Sequence, residues 1–280
     1  MESFANLFHY RFFIHAFLAA ILASIACGIL GTYIVTKRMV FISGGITHTS
    51  FGGIGLGYFL GVNPMLGAAF FSLVSALGIE FFTHKIKVRE DSMIAIFWAS
   101  GMALGIIFVY LTPGYAPNLM SYLFGNILTV SLLDIYFLAL LTFLLILFFI
   151  LFYHPVVFIA FDEDFARIRH VPVDLIKYLL MVFIALTIVL TIRVAGVILI
   201  MSLLTMPQTT ANIFTKSFLK VIILSICMAF AGTFAGLLIS YYLDIPSGAT
   251  IIFTLLVIFA LARSTWYLTM KHRVRRISST

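Results

Sequence analysis

The stretch Leu132-Leu133-Asp134-Ile135-Tyr136-Phe137-Leu138-Ala139-Leu140-Leu141-Thr142-Phe143-Leu144-Leu145-Ile146-Leu147-Phe148-Phe149-Ile150-Leu151-Phe152-Tyr153 settles the class of fold. Its one charge, Asp134, stands at the leading end, and after it the run is apolar and aromatic except for Thr142 and two tyrosine hydroxyls. A helix needs ~20 such residues to cross the hydrocarbon core of a bilayer, and this run is long enough. Other runs of the same kind lie on either side. Before it come about Phe12–Val35, Gly45–Leu60, Leu66–Thr83 and Met93–Leu111; after it come about Leu175–Ile192, Leu219–Tyr242 and Ala249–Tyr267. Gly196–Ala211 is shorter and holds Pro207, and Leu119–Leu128 is too short to span. The expected fold is therefore all-α: a polytopic integral membrane protein of about eight or nine transmembrane helices, some short or kinked, in one domain over 1–280.

Composition agrees. Hydrophobic residues make up 63% of the chain and charged ones 10%, against ~25% charged in a soluble domain. Ten acids and seventeen bases cannot solvate a surface of this size. A soluble enzyme, a disordered chain and a nucleic-acid binder are excluded. The net charge of +7 then reads as loop asymmetry. If every long run crosses, Gly196–Ala211 included, one side collects Lys37-Arg38, Lys85 to Arg89, Arg167 to Lys177, Lys216, Lys220 and the basic tail. Arg11 and Arg193 fall on the other side, and Arg263 inside the last span. The positive-inside rule then predicts an outer N-terminus, an inner C-terminus and about nine crossings. The first run reads as a retained helix rather than a secretory signal, because its bases follow it. Cys27 and Cys227 both lie in apolar runs, which indicates neither a disulfide framework nor a thiolate cluster. No internal repeat is evident.

Three stretches carry more than hydrophobicity. In Lys37 to Gly53, His48 falls about ten residues beyond Arg38, near the membrane midplane at ~1.5 Å per residue. An ionisable side chain at that depth is a site candidate by default, and imidazole is a common metal ligand; a histidine hydrogen-bonded between helices is the even alternative, with Thr47, Thr49 and Ser50 beside it. Gly44-Gly45 can unwind the chain there, while Gly53, Gly57 and Gly61 recur at the spacing of a close-packing face. The second stretch, 161–171, places Asp162, Glu163 and Asp164 early and Arg167 and Arg169 late, as a short helix prefers. With Phe165 among them, it reads as a docking helix for a cytoplasmic protein or as a lipid-surface helix. In the third, Ser202, Thr205, Pro207, Gln208 and Thr209 give a kinked segment with one polar side, the wall of a cavity or a packing face. Glu80, one helical turn before His84, reads as its interfacial partner. His9, His15, His154, His170 and His272 sit at span ends or in basic stretches. No phosphate-binding Gly-Lys-Ser/Thr loop, zinc-protease helix or nucleophile elbow is present, so the chain is expected to be no enzyme.

Four stretches together resemble the permease subunits of bacterial ATP-binding-cassette importers for zinc, manganese or iron. They are Gly31–Met39 running on to His48, Leu119-Met120-Ser121-Tyr122-Leu123-Phe124-Gly125-Asn126, Ala195–Ala211, and Tyr242-Leu243-Asp244-Ile245-Pro246-Ser247-Gly248. The resemblance implies a homodimer, a cytoplasmic ATPase pair that binds the ATP, and an extracytoplasmic metal-binding protein, in the bacterial cell (inner) membrane. It implies no resident cofactor, a divalent metal ion as cargo, and no nucleic-acid partner. His48 becomes a transient metal ligand, with Gly44, Thr47, Ser202 and Gln208 lining the path. The 161–171 segment becomes the coupling helix, with Asp162, Glu163, Asp164, Phe165 and Arg167 on the ATPase. In that family an Asp commonly stands four residues before the histidine, and here that position is Gly44. Imidazole without a carboxylate suits zinc or iron better than manganese, so zinc is the first expectation. The alternatives are an ion-coupled secondary transporter, an importer permease for a siderophore or vitamin, and an intramembrane hydrolase. The first lacks midplane ions and an inverted repeat. The second is usually a longer chain, and the third needs a second catalytic group.

Overall fold

A computed structural model describes residues 9–113, 125 and 130–277. Its elements are helices: α1 (Arg11–Thr36), α2 (Val40–Leu60), α3 (Pro64–His84), α4 (Glu90–Leu111), α5 (Leu132–Leu151), α6 (Tyr153–Phe161), α7 (Glu163–Ile168), α8 (Val173–Leu203), α9 (Met206–Phe214), α10 (Phe218–Leu243) and α11 (Ser247–Ile277). The decisive run becomes α5, and its single charge has a local purpose. Ser131 caps the helix by accepting from the Asp134 amide at 3.2 Å, while the Asp134 carboxylate accepts from the Ser131 amide at 3.1 Å. Such a reciprocal cap satisfies backbone donors that lipid cannot.

Among the described residues eight segments are long and apolar enough to cross a membrane: α1, α3, α4, α5, the two parts of α8 with α9, α10 and α11. The expected span over Gly45–Leu60 becomes α2, 21 residues long, but its glycines and hydroxyls lower its hydropathy. It needs no lipid-facing surface, because α3, α4 and α8 wrap it and Ile42, Ile46 and Ile54 are fully buried. Between helices in lipid there is no hydrophobic driving force, so association rests on close packing. At Gly101 on α4, an added Cβ would stand 2.5 Å from the Thr49 Cα of α2. Gly53 meets Gly67 of α3 backbone to backbone. Of the expected glycine face, Gly53 and Gly57 do pack on α3, whereas Gly61 ends α2 in the left-handed conformation, φ 68°.

One expectation about chain breaks is corrected and one is met. Gly44-Gly45 do not unwind: α2 begins at Val40 and runs through both. The break lies in α8 at Gly196, φ 77° and ψ 163°, and again at Leu204-Thr205. The kink expected in the segment of Pro207 is this second break: the chain leaves the helix at Leu204-Thr205 and Pro207 falls in the first turn of α9, where its missing N–H has no partner to lose. Gly125 rests against the backbone of Ala195 and Gly196, closer than a side chain would permit. The rest of the 119–128 stretch lies outside the described residues, apart from this glycine. The core gathers on α1 and α8, where Leu30, Tyr33, Ile184 and Ile188 are fully buried.

Candidate functional site

His48 is eight residues into α2, about 12 Å along its axis at 1.5 Å per residue. Its ring stacks on Trp98 of α4, centroids 4.3 Å apart and planes 12° from parallel. Its Nδ1 is buried and makes no hydrogen bond. Of the two readings open for this residue, a histidine hydrogen-bonded between helices fails at that nitrogen. Neither Thr47, Thr49 nor Ser50 supports it: all three hydroxyls donate to carbonyls, those of Ser43, Gly45 and Thr47 respectively. Thr49 reaches the Phe97 carbonyl as well, at 2.9 Å. That bond sets the register of α2 against α4 and brings Trp98 over the imidazole.

Gly44 lies one turn before His48 on the same face. An ideal Cβ there would be 2.9 Å from Trp98 Cζ3 and 2.8 Å from Met201 Cε of α8. The structure therefore brings together His48, Gly44, Trp98 and Met201. Two of the other residues expected on the lining are fully buried. Gln208 is fully buried; its Nε2 donates to the Cys27 carbonyl at 2.8 Å and the Leu203 carbonyl at 3.1 Å, so it clips the broken end of α8 to α1. Thr47 is fully buried also. Ser202, next to Met201, is 8% exposed and makes only a long contact with the Ile198 carbonyl at 3.5 Å. Neither Trp98 nor Met201 was marked by the sequence: both are apolar residues in apolar runs, distant from His48 along the chain.

The end of the bundle that carries Lys37 and the start of α8 holds a second constellation. Glu163, the first residue of α7, faces the bundle, not away from it. Its Oε1 accepts from Lys37 Nζ at 2.6 Å and lies 3.2 Å from Lys177 Nζ. Lys177 also pairs with Glu80 at 2.8 Å. These groups and Glu90 line a cavity of about 80 Å³. At Glu163 burial disfavours the charge, but the Lys37 hydrogen bond and the two ammonium charges outweigh it and hold the carboxyl below its ordinary value. Glu80 thus belongs to Lys177; the expected Glu80–His84 pair does not form. His84 meets Arg167 at 2.8 Å instead, and Arg167 donates to Asp174 at 2.7 Å.

The remaining residues of the segment take distinct positions. Asp162 caps α7 by accepting from the Phe165 amide at 3.0 Å, and Asp164 is exposed. Phe165 packs edge-on against Phe158 at 5.3 Å, with the Arg169 guanidinium over its ring. It is 39% exposed, less than Ile168 at 75% or Phe161 at 65%.

A bundle of membrane-crossing helices with a glycine-packed inner helix, a broken helix beside it and a short amphipathic helix across one end is the body of a multi-pass membrane transport protein. Residues 9–265 match the ABC 3 transport family, and the chain belongs to it. A probable metal transport system membrane protein of Chlamydia pneumoniae is 40% identical over 84% of this chain and 82% of its own. The manganese transport system membrane protein MntC of Halalkalibacterium halodurans is 32% identical over 92% and 89%. Among solved structures, PsaBC from Streptococcus pneumoniae in complex with Fab superposes with a TM-score of 0.81 at 28% identity, over 93% of this chain and 95% of that one.

Proposed function

We propose that this chain is the membrane-spanning subunit of an ATP-driven importer of a divalent transition-metal ion, zinc first and manganese or iron next. It works as a homodimer in the bacterial cell membrane, N-terminus outside and C-terminus in the cytoplasm. An external binding protein delivers the ion, and a cytoplasmic ATPase pair docks at the basic end, against α7 and its flanks over 161–171. The chain itself catalyses no reaction. Membership of the ABC 3 transport family and the names of its relatives support the class of cargo. The observation that carries the path is His48: an imidazole about 12 Å along the innermost helix, one ring nitrogen buried without a partner. A buried polar atom left unsatisfied costs on the order of 1–3 kcal/mol, which an arriving cation offsets.

The mechanism follows from the two constellations. A cation released at the outer mouth sheds water and is held transiently by imidazole, with thioether and carbonyl groups nearby. ATP-driven movement of the docked ATPases reaches α7 first. From Glu163 it passes through Lys37 to the end of α1 and through Lys177 to α8 and Glu80 of α3. Replacing His48 by Ala should reduce uptake of radiolabelled metal by roughly a hundredfold, while the protein still inserts and keeps its ATPase. Normal uptake by a well-assembled variant would return His48 to packing.

A further inference from the structure

We propose that Trp98 selects the metal by occupying the room in which a second ligand would project from position 44. The inference rests on His48 being a path ligand and goes beyond it. Positions 44 and 48 share a helical face, so a side chain at 44 would be the imidazole's nearest neighbour on α2. The space above Gly44 is already filled: Trp98 Cζ3 and Cη2 lie 2.9 and 3.3 Å from an ideal Cβ, and Met201 Cε lies 2.8 Å away. All of these are ends of side chains, not backbone. The position is therefore not closed by the fold; it is contested by one indole and one thioether.

The same indole fixes the imidazole. Stacked at 4.3 Å and 12°, it covers one face of the ring, while Nδ1 on the ring's edge is buried and has no hydrogen-bond partner. Ring nitrogens bind metals in the ring plane, so a cation approaches edge-on and meets imidazole without an adjacent carboxylate. Donor chemistry then decides: imidazole and thioether suit zinc, copper and iron, whereas carboxylate and carbonyl oxygen suit manganese. Trp98 is accordingly a positioning residue and excludes the harder ligand. Gly44 and Trp98 are a matched pair, and changing one alone leaves the site either crowded or slack.

The test is a double-mutant cycle in the complete transporter, reading uptake of radiolabelled zinc and manganese with assembly checked by ATPase co-purification. Gly44→Asp alone should lose uptake of both metals by roughly tenfold or more, and adding Trp98→Ala should restore it with the manganese-to-zinc ratio raised by a similar factor. Trp98→Phe, which keeps a stacked ring, should retain the parent ratio. If Trp98→Ala assembles poorly, Trp98→Leu takes its place, keeping apolar bulk without the stack. The proposal is overturned if Gly44→Asp alone transports with a shifted ratio, or if the double variant behaves like Gly44→Asp. His48→Ala run alongside separates the two readings: its normal uptake defeats the path itself, whatever the Trp98 variants do.

Discussion

Lys177 and Glu80 meet at 2.8 Å with side chains 10% and 5% exposed. At that burial the pair gains little over two apolar residues, but losing one member strands the other. Lys177→Met alone should therefore cost about 3–5 kcal/mol, seen as a lower thermal unfolding midpoint of the purified protein. Adding Glu80→Gln should recover most of that stability, because Glu163 keeps Lys37; no recovery would mean that the two residues do not share one interaction. The residue scale also shows what a sequence conceals. His48 was legible because an ionisable group in an apolar run is anomalous. Trp98 was not, since nothing in a sequence distinguishes an indole stacked on a histidine from one in lipid. Gln208 stood out for a related reason: an amide in a broken helix announces a polar need, and here its Nε2 meets the buried carbonyls of Cys27 and Leu203.

At the scale of elements, α7 has two faces with separable duties. Glu163 and Ala166 turn toward the bundle, Ala166 fully buried, while Ile168 turns away. Phe165 lies between, partly folded onto Phe158. Docking of a partner should then be anchored by Ile168 as much as by Phe165. Replacing either by Ala should weaken ATPase co-purification by about 2 kcal/mol. Glu163→Gln should act differently: docking persists and ATP is hydrolysed, but metal uptake falls, because α7 no longer holds Lys37 and Lys177 by charge. Failure of Glu163→Gln to dock would place that side chain on the partner instead. The position of this segment was readable from its charge order; its orientation was not. Three neighbouring acids look alike in sequence, and only the distant Lys37 and Lys177 select Glu163.

For the molecule as a whole, hydropathy marked the helices that touch lipid and undervalued α2, which touches protein. The count of crossings stood between eight and nine for another reason, the short Gly196–Ala211 segment, which together with α9 makes a 20-residue stretch, Ala195–Phe214, long and apolar enough to cross. Glycine breaks were equally ambiguous: Gly44-Gly45 and Gly196 look alike in sequence, and only Gly196 takes a positive φ. Reporter fusions after Arg89 and after Thr280 should both report cytoplasm, and one near Asn118 the exterior; an exterior signal at Thr280 would remove one crossing. The bridge between Lys37 and Glu163 has a consequence for biogenesis. The two partners are 126 residues apart, and ribosomes add about 5–20 residues per second. Lys37 thus emerges roughly ten seconds ahead of its carboxylate, and Glu80 similarly awaits Lys177. Through that interval the nascent chain carries Lys37 and Glu80 without the partners they have in the finished fold. Arrival of α7 and α8 supplies both partners, so the cluster that ties the finished subunit together cannot close until synthesis has passed the middle of the chain.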